Sequence, residues 1–243
     1  MMSYRALVIV ARYPEPGRVK TRLAATIGAE EAARLYRAFL VDLAARFSCA
    51  ARQDGYRLIW AKAPGEGDLR TVVGAKAHVI QQHGNDFAER LHNVCADLTD
   101  AGAREVVIIG SDSPHLPVAW VARAFGIVAR GEVALGPAED GGYYLIGVHA
   151  RPSPPNLFLG IQMSTAHVLS ETLGRAAALA LPVRLLPTTF DVDEADSLPR
   201  LANVLNAPMA EAGECPCTRE ELARLDAREL NSMKPEARAF AKR

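Results

Sequence analysis

Four cations, Arg12, Arg18, Lys20 and Arg22, crowd the stretch ARYPEPGRVKTRLA (11–24), directly behind the apolar run ALVIV. A connecting loop needs turn formers, and Pro14, Pro16 and Gly17 supply them. It has no structural need of four positive charges. Lys20, Thr21 and Arg22 fall where a helix can begin, and backbone N–H groups at a helix start, joined by mobile cations, make an anion site. The loop is not a P-loop, because Arg18 and Val19 separate its glycine from its lysine, and no G-x-G-x-x-G occurs there. Phosphate binding is the reading its position favours; a solvated charged turn is the alternative.

Acids stand behind three other apolar runs. SDSPHLP (111–117) follows EVVIIG (105–110), so Asp112 would sit just beyond a buried strand, held by the stiff Ser113-Pro114 and Leu116-Pro117 steps. A hard divalent cation prefers such carboxylate oxygen, completed by substrate phosphates. Helix capping is the plainer role open to Asp112. AEDGGYYLIG (138–147) places Asp140 before Gly141 and Gly142; the pair can let a ligand approach the backbone, or simply form an Asp-Gly hairpin turn. In DVDEADSL (191–198), Asp191 and Asp193 face one way in an extended chain. We take Asp193 as a metal candidate, with capping of the last helix as the competing role. The six histidines show no ligand spacing, and only His115 falls beside a candidate loop. Cys215 and Cys217 form C-P-C without a second Cys or His pair, which reads as free thiols rather than a zinc site.

These loops need a scaffold, and the chain alternates in the way that builds one. Strand-like runs at 6–10, 56–61, 78–82, 105–110, 132–138, 143–148 and 183–187 are interleaved with helical patterns. The helices are expected over Glu30–Phe47, Asp86–Leu98, Pro117–Ala129, Ser164–Leu179 and Ala195–Leu205. Such alternation indicates an α/β domain with a mostly parallel sheet and right-handed crossovers, where ligands bind beyond the carboxyl ends of the strands. The charge-rich stretch from Cys215 onward carries little apolar periodicity and is assigned no chemistry.

Composition narrows the classes. Lys plus Arg equals Asp plus Glu at 28 each, so the basic excess expected of a nucleic-acid binder is missing. No apolar run reaches the roughly 20 residues that span a bilayer, and the opening MMSYRALVIVARYP is too short in its apolar part to act as a signal peptide. A cytoplasmic protein without nucleic-acid or membrane partners is the expectation.

Taken together and in order, PEPGRVKTRLA, GSDSPHLP, GPAEDGGYYLIG and FDVDEADSL resemble the small bacterial transferases of the DUF2064 family, from about Leu7 to about Leu205. That family is described as arsenosugar-biosynthesis glycosyltransferases or radical-SAM-associated transferases. It is part of the GT-A, or nucleotide-diphospho-sugar transferase, superfamily, which also holds nucleotidyltransferases. VKTRLA is similar to the Lys-x-Arg-Leu loop of 2-phospho-lactate guanylyltransferases. The resemblance implies a three-layer α/β/α sandwich over residues 1–210 with a Rossmann-like sheet, followed by a helical or partly disordered tail, 211–243. It implies that Arg12, Gly17, Lys20 and Arg22 hold the phosphates, that Ser111 joins them, and that Gln81, Gln82, Gly84 and Asp86 border the base or ribose. Asp112 and Asp193 would hold Mg²⁺ or Mn²⁺, although the chain has S-D-S-P where the superfamily has D-x-D. Asp140, Gly141 and Gly142 would line the acceptor side, with Asp140 able to deprotonate an acceptor.

The expected activity is glycosyl transfer from a nucleoside-diphosphate sugar to a small acceptor. Nucleotidyl transfer from an NTP to a phosphorylated substrate is the alternative, and a nucleotide-binding regulatory module without catalysis is the third.

Overall fold

Strand β1 (Tyr4–Ala11) shows how the sheet is buried. Leu7 and Ile9 enter one apolar layer, Ala6 and Val8 the other, and all four are fully buried. A strand covered on both faces has no place for alternating polar residues. The computed structural model describes residues 3–150, 156–207 and 214–226.

β1 is paired in parallel with β2 (Arg57–Lys62) and β4 (Ala103–Ile109), and β3 (His78–Gln81) lies outside β2. Beyond β4 comes β6 (Tyr143–His149), antiparallel to β4 and to β5 (Val133–Pro137), and β7 (Val183–Leu185) pairs in parallel with β5. The order is β3-β2-β1-β4-β6-β5-β7. One strand thus departs from a uniformly parallel sheet. The Asp140-Gly141 turn makes β5 and β6 a hairpin, with Ala138 N–H bonded to the Gly142 carbonyl.

Helices cover both faces. On one side lie α1 (Thr21–Ile27), α2 (Ala29–Asp54), α3 (Arg70–Val73), α5 (Val118–Val128) and α7 (Ser197–Asn206); on the other lie α4 (Phe87–Asp100) and α6 (Val168–Ala178). α2 carries Leu35, Phe39, Leu43 and Phe47, all fully buried. It runs about two turns past Phe47 and stops at Gly55, whose left-handed φ of 69° closes the helix through Ala51. α6 begins at Val168 rather than Ser164, because Ser164 itself is left-handed at φ 65° and cannot continue a right-handed turn.

Near the end of the chain, residues 216–226 are helical and pack against α2. Asp42, only 1% exposed, accepts from the Cys217 and Thr218 N–H groups and from the Thr218 hydroxyl. A carboxylate from mid-α2 therefore caps this helix from outside its own sequence. One turn along, Arg46 reaches the Pro114 and Leu116 carbonyls and the Cys215 thiol, which ties the segment to the loop behind β4. Residues 211–213 and 227–243 of the stretch expected to form a tail lie outside the described residues. No helix of the described residues is long and apolar enough to cross a membrane.

Candidate functional site

Where β1 ends, the loop turns at Glu15–Arg18, with Pro16 second and Gly17 third at φ +76°. That is the sequence and geometry of a tight turn needing a positive φ at its third residue, so Gly17 shapes the loop. Val19, 3% exposed, then anchors it in the core. Lys20 follows in the left-handed region, φ 48° and ψ 44°, a conformation uncommon for a residue with a side chain. The result is an inward-pointing lysine, its side chain only 4% exposed, rather than a mobile one.

Its ammonium lies between two carboxylates from distant parts of the chain, Asp112 beyond β4 and Asp193 ahead of α7, the latter at 2.8 Å. The rings of Tyr36 and Phe39 lie 5.8 and 5.9 Å from it. Burial works against the charge, but Asp112 and then Asp193 outweigh it and hold the Lys20 pKa above its ordinary value. Both carboxylates remain nearly half exposed, at 43% and 47%, so each has surface left to face a ligand.

The two acidic loops are pinned to each other. The Val192 N–H donates to the Asp112 carbonyl, and the buried Ser113 hydroxyl meets both the Phe190 carbonyl and the Asp191 carboxylate. Asp191 stands behind Asp193; burial first, and Asp112 second, push its pKa up to about 6. On the β1 side, the Tyr36 hydroxyl joins Ser111 at 2.8 Å and accepts from the Arg12 N–H. Burial pushes that phenol up to about 12, so it acts as a fixed neutral strut.

Above this floor opens a cavity of about 660 Å³, within the usual range for small-ligand sites. Arg12, Arg18, Arg22 and Arg90 rim it, and Ser111, Asp112 and Asp193 close it below. No ion pair is seen for Arg12, Arg18 or Arg90 among the described residues. Gln82 adds a buried amide whose N–H₂ donates to the Ala61 carbonyl, while its own carbonyl oxygen has no donor among the described residues. Because Ala61 offers only an acceptor, the amide orientation is fixed.

Not every residue expected here arrives. Asp86 caps α4 by accepting from the Glu89 N–H, and Gly84 (φ +135°) lies so close to the Arg90 backbone that a side chain would crowd it. Both belong to the entrance of α4 rather than to the cavity lining, and Gln81 lies at the end of β3. The capping roles weighed against the metal candidates also resolve. α5 is entered from Pro117, and Asp196, at the cap position of α7, makes no side-chain cap bond.

Asp140 lies in a second cavity of about 500 Å³, which shares Arg22 and Asp193 with the first. Its carboxylate accepts from the Gly142 N–H, and a side chain at Gly141 would strike the Ala166 carbonyl, so this trio first serves the hairpin turn. His115 lies behind that cavity. Its ring stacks on Phe190 at 4.3 Å and its Nε2 meets Thr189. Burial, then Arg46 and Arg200, lower its pKa to about 4.

Arg90 went unrecognised from sequence. Only the crossover that sets the first turns of α4 beside the β1 loop brings it in, and nothing in FAERLHN marks it locally. Among the described residues, no three His, Cys, Asp or Glu side chains converge as a ready metal cage. All four cysteines are free, and Cys215 is buried against Pro114.

A family model described as an uncharacterized protein conserved in bacteria (DUF2064) matches residues 43–165, half of the chain. A crystal structure assigned to the nucleotide-diphospho-sugar transferases, from Desulfovibrio desulfuricans G20, is 32% identical. The match covers 93% of this chain and 96% of that one, with a TM-score of 0.82. A cytidylyltransferase from Leptospira borgpetersenii serovar Hardjo-bovis aligns over 93% of this chain and 96% of its own at 11% identity and a TM-score of 0.52. A 4-diphosphocytidyl-2C-methyl-D-erythritol synthase from Anaerococcus prevotii aligns over 80% and 94% at 5% identity and 0.51. These last two share the fold. No curated protein matches the chain.

Proposed function

The chain belongs to the DUF2064 family, and from that premise we propose that it is a transferase using a nucleotide-activated donor, with glycosyl transfer from a nucleoside-diphosphate sugar to a small acceptor as its reaction. The observation that carries this reading is the floor of the larger cavity. Lys20 joins Asp112 to Asp193 directly beneath four arginines, three of them without an acidic partner among the described residues.

A diphosphate entering the cavity meets guanidinium groups that can bind it bidentately. It comes to lie against the two carboxylates, which one ammonium leaves undercompensated. That donor set fits Mg²⁺ or Mn²⁺, which bind through one or two protein carboxylates plus substrate phosphates. Asp112 and Asp193 are the residues that would hold the ion, and it would supply charge neutralisation at the leaving phosphate. Lys20 keeps the carboxylates in place and lends its own charge. Gln82 and Phe87, which line the same cavity, would meet the base end of the donor.

In the transfer, the acceptor hydroxyl oxygen bonds to the anomeric carbon. The bond from that carbon to phosphate oxygen breaks, and the nucleoside diphosphate leaves with its electron pair. The hydroxyl proton passes to a carboxylate such as Asp140. The alternative, nucleotidyl transfer, is favoured by the number of arginines around the cavity, which suits a triphosphate. Its acceptor, as read from the sequence, is a phosphorylated substrate.

Thermal melts with NTPs and NDP-sugars, each with Mg²⁺ or Mn²⁺, test the proposal, since a ligand that binds the folded state raises the melting temperature. NDP-sugar stabilisation with release of nucleoside diphosphate is the expected result. NTP preference with pyrophosphate release would replace glycosyl by nucleotidyl transfer. Binding without turnover of any acceptor would leave a regulatory nucleotide-binding module.

A further inference from the structure

The second cavity differs from the first in its charge. Glu139, Asp140, Asp191, Asp193, Glu194 and Asp196 line it, against only Arg22 and Arg200. Both cations are already answered within the protein. Arg200 is forked by Glu139 at 2.5 and 2.6 Å, and Arg22 faces Glu194 at 3.6 Å. In the larger cavity the relation is reversed, because Arg12, Arg18 and Arg90 have no acidic partner among the described residues.

Shape adds to charge. The Arg200 guanidinium stacks on Phe190 at 3.9 Å, and His115 stacks on the same ring at 4.3 Å. The three form a stack, with His115 its inner layer and Arg200, held by Glu139, its layer on the cavity side, so a ring can be laid against the guanidinium. The cavity is a continuation of the donor cleft, since Arg22 and Asp193 belong to both and Asp193 touches Lys20. Whatever enters it is delivered beside the point where the donor's diphosphate would end.

We propose that this cavity is the acceptor site and that it takes a ring-bearing acceptor rich in hydroxyl groups, neutral or cationic, and rejects one carrying a phosphate. This rests on the donor reading of the larger cavity. Carboxylates accept hydrogen bonds from hydroxyl and ammonium groups, while a phosphomonoester would bring its two charges against a wall of carboxylates whose only counter-ions are engaged. The selection opposes nucleotidyl transfer to a phosphorylated acceptor.

Three probes on one ring decide it: glucosamine, glucose and glucose 6-phosphate, titrated into the full-length chain by saturation-transfer NMR with Mg²⁺ and pyrophosphate filling the basic cavity. The expected order is glucosamine first, glucose second, and glucose 6-phosphate at least tenfold weaker than glucose. The double variant Glu139→Gln, Asp196→Lys alters two exposed side chains and frees Arg200. It should improve glucose 6-phosphate at least tenfold relative to glucosamine. Glucose 6-phosphate matching or exceeding glucosamine in the unaltered protein would overturn the proposal, as would absent binding of all three or an order the double variant leaves unchanged. Failure of pyrophosphate to bind strikes instead at the donor reading, and the sugar order taken without it still decides this one.

Discussion

Two adjoining hollows of similar size carry opposite charge, one rimmed by arginines and the other lined by carboxylates. They are also held differently. The basic hollow stands on the ends of β1 and β4, buried strands whose positions are fixed by the core on both faces. The acidic one is framed by the β5–β6 turn, the segment after β7 and the start of α7, whose side chains are largely exposed. A chain with 28 acids and 28 bases thus hides a local polarity that its net charge of zero conceals. Under the proposed function the difference is a division of labour, with cations for the donor's phosphates and acids for the acceptor.

Asp112 is the hinge of this contrast, and removing its charge should have the largest effect. Asp112→Asn keeps the shape but leaves Lys20 with one carboxylate and takes away a proposed metal ligand. Turnover should fall by about 10³-fold, the scale seen when an electrostatic contact to developing charge is lost, and the melting temperature should fall as well, because Lys20, only 4% exposed, loses the carboxylate that most offsets its burial. Unchanged turnover would mean that the floor of the basic hollow takes no part in chemistry.

The arginines sharpen the contrast next. Arg18→Ala and Arg90→Ala should each weaken nucleotide affinity by about 10- to 100-fold, the value of a charge-assisted hydrogen bond of roughly 1.5–3 kcal/mol, with the loss shrinking at high salt. Arg200→Ala should leave nucleotide affinity within about twofold, because its guanidinium serves Glu139 and Phe190 across the boundary. Calorimetric titration of one nucleotide into all three variants reads this directly. Equal losses would merge the two hollows into one site.

Much of the basic hollow was legible in the sequence because its signals are local. Cations behind a first strand and an acid behind a fully apolar one can be read from position alone, and the α/β alternation says that such positions meet at one sheet edge. What could not be read was conformation. Nothing in RVKTRL announces that Lys20 is left-handed, with its side chain only 4% exposed between Asp112 and Asp193. Glycines and aspartates mislead in the other direction. Asp86, Gly84 and Gly141 carry the marks of a ligand loop, but helix capping and close backbone approach use the same residue types. Asp42 shows the limit of periodicity: a polar residue in the middle of α2 looks like an exposed position until residues 216–226 arrive to be capped by it.

His115 offers the finest test of how the acidic hollow is built, because it stands behind the Phe190–Arg200 wall, and Asp191, raised to about 6, titrates alike in both proteins compared below. Folded, it is held neutral down to about pH 4 by burial and by Arg46 and Arg200; unfolded, it takes up a proton below about pH 6.5. Between those values the unfolded chain binds more protons, so stability attributable to this ring is complete above about pH 6.5 and is lost as pH falls toward 4, at up to about 1.4 kcal/mol per pH unit. His115→Asn cannot titrate, so its stability profile in urea should be flatter by one proton across that window, and below it the two profiles should run parallel. If they already run parallel at pH 5.5, the ring is not buried and neutral behind Phe190, and the wall of the acidic hollow loses its rigid backing.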